Sequence, residues 1–235
     1  MAGRWRGEGG QHQGARPYQE DSWALKTLAD GSLLAVVADG MGGHAGGAVA
    51  SKLAVEAFVH ALEQGGGLAD GLQDANAAVG RAAAGKAALA GMGATLVAAQ
   101  VRGDEVRWIS VGDSPFFLVS AGKLERLNAD HSMAPQIDAM VKRGVLTAEE
   151  AEHHPGRHTL REAVMGDPLS LIDKGSRKLD LDARLLLCSD GVQSLSALEI
   201  AAAAGKPVRG MIDTVLAAAK GHQDNVTVVK LERER

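Results

Sequence analysis

Four aspartates stand at the ends of apolar runs in distant parts of this chain, each followed by a small or amide residue. Asp39 closes Leu33-Leu-Ala-Val-Val-Ala-Asp39-Gly40, and Asp113 closes Trp108-Ile-Ser-Val-Gly112-Asp113-Ser114. Asp190 closes Leu185-Leu-Leu-Cys-Ser-Asp190-Gly191, and Asp224 precedes Asn225-Val-Thr-Val-Val. A carboxylate just beyond a buried strand packs poorly but is well placed to hold a hard cation. Oxygen-only donor sets suit magnesium, manganese or calcium. The repetition favours a metal-dependent enzyme.

Two further clusters invite chemistry. In Asp39-Gly40-Met-Gly42-Gly43-His-Ala-Gly46-Gly47 the glycines let the backbone turn from strand to helix and let a ligand approach closely. A dinucleotide-binding turn would use the same glycines. Asp39, however, would then face a pyrophosphate without a counterion, and no second strand ending in an acidic residue follows at the expected interval, where the chain reads as helix. An aspartyl-phosphate nucleophile would want an acidic residue two positions on, where Met41 stands. The second cluster is Arg16-Pro-Tyr-Gln-Glu20-Asp21. Alone it reads as a solvated turn. Beside the four aspartates, Glu20 and Asp21 can hold a cation directly or through water, and Arg16 can fork onto a phosphate.

The elements that must bring these groups together are legible in outline. Strands are expected at 22–28 and 33–38 around the turn Ala29-Asp30-Gly31, and Ala-rich helices at 46–63 and 69–90 with Gly65-Gly-Gly67 as the loop between them. Strands at 94–101 and 105–111, and at 116–120 and 123–127, have connections too short for anything but antiparallel pairing. Further strands fit 176–181, 184–189 and 225–231, with helices near 196–204 and 207–220. The stretch 130–165 is polar, helical in places and rich in His. This order indicates an α+β protein, with helices covering sheet faces.

Composition narrows the class. The 235 residues suffice for one large domain, which at this length buries roughly 70–75% of its unfolded surface. Hydrophobic residues make up 46% and aromatics 3%, so Ala, Val, Leu and Ile must build the core. A net charge of −4, without basic blocks, argues against nucleic acid and anionic membranes as partners. The lone Cys188, inside an apolar strand, reads as a small buried hydrophobe and excludes an internal disulfide. The start Met1-Ala-Gly-Arg-Trp-Arg has no apolar core of a secretory signal, and the run Ala87 to Ala99 is too short to span a bilayer. The expectation is a cytoplasmic, monomeric protein with a single domain over residues 1–235.

Seven motifs then fall in one order: Arg16-x-x-x-Glu20-Asp21, Asp39-Gly40-Met-Gly42-Gly43, Met92-Gly93-Ala94-Thr95-Leu96, Val111-Gly112-Asp113-Ser114, Asp130-His131-Ser132, Cys188-Ser189-Asp190-Gly191 and Asp224-Asn225-Val-Thr. In these the chain resembles the metal-dependent Ser/Thr protein phosphatases of type 2C in their compact bacterial form. The resemblance implies a four-layer α-β-β-α sandwich and hydrolysis of phosphoserine or phosphothreonine by direct attack of metal-activated water, with no phosphoenzyme. It implies two Mn2+ or Mg2+ ions, with a third possible. Asp39 would bridge two ions, the Gly40 carbonyl would complete one shell, Asp190 and Asp224 would hold the other ion, and Glu20 and Asp21 would anchor coordinated waters. Arg16 would bind the substrate phosphate, and Asp113 with Asp190 would form the third site. Residues 130–165 would correspond to the family's flap, and phosphorylated proteins of a Ser/Thr kinase pathway would be the partners.

Departures from the pattern are Gln19 where the family usually has Asn, and Pro115 where it usually has Arg after Gly-Asp-Ser. Pro115 removes a cation and a backbone donor beside Asp113. Met41 stands where distant relatives carry an acid His, and leaving-group protonation is assigned to water of the metal site rather than to His44. His153 and His154 read as surface flap, His131 as structural or catalytic, and Asn76 as a packing or hydrogen-bonding residue of a helix rather than a ligand. A catalytically silent family member that binds phosphoproteins is the rival reading.

Overall fold

An uninterrupted apolar strand needs cover on both faces, and Leu33–Met41 is such a strand: its residues 33–38 are all buried. Successive side chains point opposite ways. Leu34, Val36 and Ala38 pack under helices, while Leu33, Ala35 and Val37 join a second core between two sheets. Arg184–Cys188 divides likewise. Leu185 and Leu187 enter the inter-sheet core, and Leu186 and Cys188 enter a third core under another helix pair. Three cores between four layers follow from these two strands.

The computed structural model describes residues 4–42, 45–218 and 223–234. One sheet runs in the order β1 (Trp5–His12), β11 (Val226–Arg233), β10 (Arg184–Cys188), β7 (Phe116–Ser120) and β8 (Lys123–Arg126). The other runs β2 (Asp21–Thr27), β3 (Leu33–Met41), β5 (Leu96–Arg102), β6 (Glu105–Val111) and β9 (Asp173–Lys178), with short β4 (Gly93–Ala94) paired to β3. Every strand pair is antiparallel. Helices α1 (Ala45–Glu63) and α2 (Leu68–Ala83) cover the second sheet, and α5 (Ala197–Ala203) and α6 (Val208–Ala218) cover the first. Helices α3 (Ala134–Lys142) and α4 (Ala148–Glu152) lie in the His-rich stretch. The α-β-β-α sandwich is therefore as expected.

Three elements differ from expectation. The second helix stops at Ala83 rather than 90, because Gly85 takes φ +70°, and only a 3-10 turn follows at Ala87–Leu89. Strand β9 lies three residues earlier than 176–181. Its register pairs Lys178 with Glu105, the first residue of β6, so pairing ends there. Strand β1 was not anticipated at all, since Trp5-Arg-Gly-Glu-Gly-Gly-Gln-His12 alternates weakly. Its glycines serve packing: a Cβ on Gly9 would run into the Trp23 ring, and one on Gly7 into Leu25.

Candidate metal centre

The ladder between β2 and β3 sets Asp21 opposite Asp39, which carries the acidic start of one strand to the acidic end of the next. The Gly40 amide donates to the Glu20 carbonyl at 3.1 Å, and a Cβ on Gly40 would strike the Gly47 carbonyl. Only glycine lets the strand end, the helix start and the Glu20 loop meet there. Asp190 leaves β10 and opens a 3-10 turn over Asp190–Ser194, while Asp224 leads into β11, the neighbour of β10. Asp113 follows β6 through Gly112, whose φ of +97° is open to glycine alone and leans the turn on Thr95.

All these strand ends open at one end of the sandwich, into a cleft of about 460 Å³. Arg16, Glu20, Asp39, Gly40, Asp113, Asp190 and Asp224 line it. Asp21 lies beneath, 4% exposed, where its Oδ2 accepts from Ser189 Oγ at 2.8 Å and from Thr227 Oγ1 at 2.7 Å. The expected site residues thus converge on one place. Arg16 does so with a partner not foreseen: its guanidinium donates to Asp224 Oδ2 at 2.5 Å, and that carboxylate raises the arginine's pKa.

Burial pushes the Asp39 carboxyl well above its ordinary range, and the charges of Asp21, Asp190, Asp113 and Asp224 push it further. Burial and then Asp224 raise Asp190. Burial, followed by Asp190 and Asp130, lifts Asp113 to about 7. Asp21 is raised to about 6, chiefly by burial, with the Thr227 and Ser189 hydroxyls pulling back. Ionised together, these groups require a counter-charge.

A divalent cation fits on three grounds. The donor set is oxygen throughout, the choice of hard ions. Asp21 Oδ1 is buried without a hydrogen-bond partner among the described residues. The mutual repulsion of the carboxylates has the sign that a cation reverses. Against these grounds, among the described residues no three His, Cys, Asp or Glu side chains stand close enough together to hold one ion between them, so the carboxylates would have to draw in around it.

Some neighbours of the site carry roles that the sequence does not assign, although Thr95 and Asn225 fall within the motifs above. Thr95 accepts the Asp39 amide on Oγ1 at 3.1 Å, and its own amide donates to the Asp39 carbonyl at 2.9 Å. Asn225 accepts the Glu20 amide at 2.7 Å and donates to the carbonyls of Gln13 and Tyr18 at 2.8 and 2.9 Å, so it shapes the whole Arg16 loop. His158 lines the cleft from the His-rich stretch. The available signal was a hydroxyl or amide set into an apolar run, as Thr227 in Val226-Thr227-Val228. His131 Nδ1 accepts the Gly112 amide at 3.2 Å, a structural bond. Asn76 holds residues 165–167, consistent with a hydrogen-bonding role. His153 is exposed and bonds within its own helix turn. His44 and Gly43 lie outside the described residues.

A two-sheet sandwich that gathers carboxylates at one end around a single cleft defines a class of metal-site proteins. Comparison with known proteins narrows it. The family model described as "Protein phosphatase 2C" matches residues 7–225, and the chain belongs to that family. It is 36% identical over 214 residues to the "Serine/threonine protein phosphatase PstP" of Mycobacterium tuberculosis, covering 85% of this chain and 40% of the relative. The chain therefore spans less than half of that protein's length. It is 30% identical over 234 residues to the "Serine/threonine phosphatase stp" of Listeria monocytogenes, covering 93% of this chain and 92% of the relative. The solved catalytic domain of the phosphatase PstP in complex with two manganese ions superposes with a TM-score of 0.80 at 30% identity, covering 97% of each chain.

Proposed function

We propose that this chain is a metal-dependent protein phosphatase that hydrolyses phosphoserine and phosphothreonine esters. The observation that carries the reading is the convergence of Asp39, Asp190, Asp224, Asp113 and Glu20 on one cleft that also holds Arg16. In this reading Asp39, the Gly40 carbonyl, Asp190 and Asp224 would hold a pair of Mn2+ or Mg2+ ions, Glu20 and Asp21 would support them through water, and Asp113 with Asp190 would serve a third ion. Bound divalent ions supply an activated water and neutralise charge on the transferring phosphoryl group.

The chain's own residues do the rest. Among the described residues Arg16 is the one arginine lining the cleft, and it presents its guanidinium to an entering phosphate, exchanging Asp224 for the substrate oxygens. Ser189 and Thr227 hold the Asp21 carboxylate in a fixed orientation from below. Asn225 fixes the loop that carries Arg16 and Glu20. Phosphorylated proteins of a Ser/Thr kinase pathway are the proposed substrates. A single domain, a monomer and the cytoplasm are the proposed setting. Among the described residues no helix is long and apolar enough to cross a membrane.

The test is hydrolysis of para-nitrophenyl phosphate and of a phosphothreonine peptide in Mn2+, in EDTA, and by Asp39→Asn. Turnover in Mn2+ that EDTA and Asp39→Asn each abolish is the expected result. Equal rates in Mn2+ and EDTA would remove the metal mechanism. Binding of the phosphopeptide without turnover under any metal would favour a silent phosphoprotein-binding member.

A further inference from the structure

The turn that carries Asp113 belongs to neither sheet, yet each carbonyl from Gly112 to Pro115 is tied down. Gly112 exchanges two bonds with His131: its carbonyl accepts the His131 amide at 3.1 Å, and its amide donates to Nδ1 at 3.2 Å. The Ser114 carbonyl accepts from Asn128 Nδ2 at 3.0 Å, the Pro115 carbonyl from the Cys188 amide at 3.0 Å, and the Phe116 amide donates to Asn128 Oδ1 at 2.8 Å. The Asp113 carbonyl is held by Arg126 Nη2 at 2.7 Å.

Arg126 does more than this. Its Nη1 donates to Asp130 Oδ2 at 3.0 Å and its Nε to Asn128 Oδ1 at 3.3 Å. Asp130 Oδ1 in turn accepts the Ser132 amide at 2.9 Å, at the entry to α3. The guanidinium therefore joins the last residue of β8, the Asp113 turn and the base of the 130–165 segment. Both partners are largely shielded, with side chains 24% and 21% exposed. Residue 115 is Pro and offers no side-chain donor, so this cation reaches the turn from a neighbouring strand instead.

We infer that Arg126 is the positioning residue that aims the Asp113 carboxylate into the cleft and couples it to the base of the 130–165 segment. The inference rests on reading Asp113 as a cation ligand. A planar fork whose Nε, Nη1 and Nη2 each carry a donor suits the task, because an amide oxygen, a carboxylate and a carbonyl lie within hydrogen-bond distance of them. A lysine at the same place keeps the charge but reaches only one of these partners well.

The experiment uses the full chain with Mn2+ as probe, comparing the parent with Arg126→Met, Arg126→Lys, Asp130→Asn and the Arg126→Met/Asp130→Asn pair. Amide exchange is followed in peptides covering 110–116 and 128–133, and Mn2+ binding by calorimetry. Arg126→Met should speed exchange in both segments and weaken the weakest Mn2+ site roughly 10- to 100-fold, as loss of an outer-shell partner does. The tighter sites should stay within about twofold of the parent, since their ligands lie on other strands. Lysine should recover part of the loss, and the double variant should be no worse than Arg126→Met, because both changes cut one link. Unchanged exchange and an unchanged Mn2+ titration in Arg126→Met overturn the inference. Should that variant melt without a cooperative transition, parent-like exchange in both Arg126→Lys and Asp130→Asn overturns it instead. Failure of the parent to bind Mn2+ sinks the metal reading alone, because the exchange data test the link by themselves.

Discussion

Thr95 stands between the two halves of the site. Its hydroxyl takes the Asp39 amide and lies 2.6 Å from Ser114 Oγ, and its methyl fills the space that Gly112 leaves open. Thr95→Val keeps the shape and leaves a buried amide beside Asp39 unsatisfied. A buried orphan donor costs about 1–3 kcal/mol, so urea unfolding should register that loss, with turnover falling alongside. Thr95→Ser should retain most of both. Equal stability for Val and parent would show that the bond holds nothing in place. Asp39, Asp113, Asp190 and Asp224 were readable from the sequence because each sits where an apolar run breaks, and one residue marks its own place. Thr95 and Asn225 were less readable as site residues, since their roles depend on which strands pair. The contact of Thr95 with Asp39 spans 56 residues, and that of Asn225 with Glu20 spans 205.

Among the elements, the 130–165 segment is gripped at both roots. Its start is tied to the Asp113 turn through His131, and its end forms a bridge from Val164 to Ala94. Asn76 on α2 completes the second root, accepting the Met165 and Gly166 amides at 3.1 and 2.9 Å and donating to the Asp167 carbonyl at 2.7 Å. Gly80 and Gly166 touch backbone to backbone beside it. Asn76→Ala removes three bonds at a half-buried position, and a loss of about 1–3 kcal/mol is expected with faster exchange confined to 163–168. Exchange that rises over the whole chain instead would mean that Asn76 supports global folding rather than this root. The strands doubly buried in hydrophobic layers, β3 and β10, were legible because an apolar run of that length has few other uses. Strand β1 was not, because its glycines are selected by Trp23 and Leu25 on β2 rather than by its own alternation. The shift of β9 has the same origin, since the register of β6 decides where it ends.

For the molecule as a whole, the acidic cluster sets a pH dependence whose sign follows from the shifts. Asp39 and Asp190 are raised in the folded state, Asp21 to about 6 and Asp113 to about 7, against an ordinary value of 3.8. The folded chain therefore binds more protons than the unfolded chain between about pH 4 and 7, and stability must fall as pH rises through that window. His131 opposes this: burial lowers it, so it favours folding as pH rises toward its ordinary 6.5, but it is one group against four. Surface carboxylates held low, such as Glu232 and Glu162, act only at more acid pH. In EDTA the melting temperature should thus be higher at pH 5.5 than at pH 7.5. Divalent ions bind ionised carboxylates, so their affinity grows with pH and the slope should reverse in millimolar Mn2+. Melting curves across that range, with and without Mn2+, decide the matter. A melting temperature in EDTA that climbs from pH 5.5 to 7.5, matched in parallel by the Mn2+ samples, would mean that the four carboxylates are not crowded and that no cation is what they await.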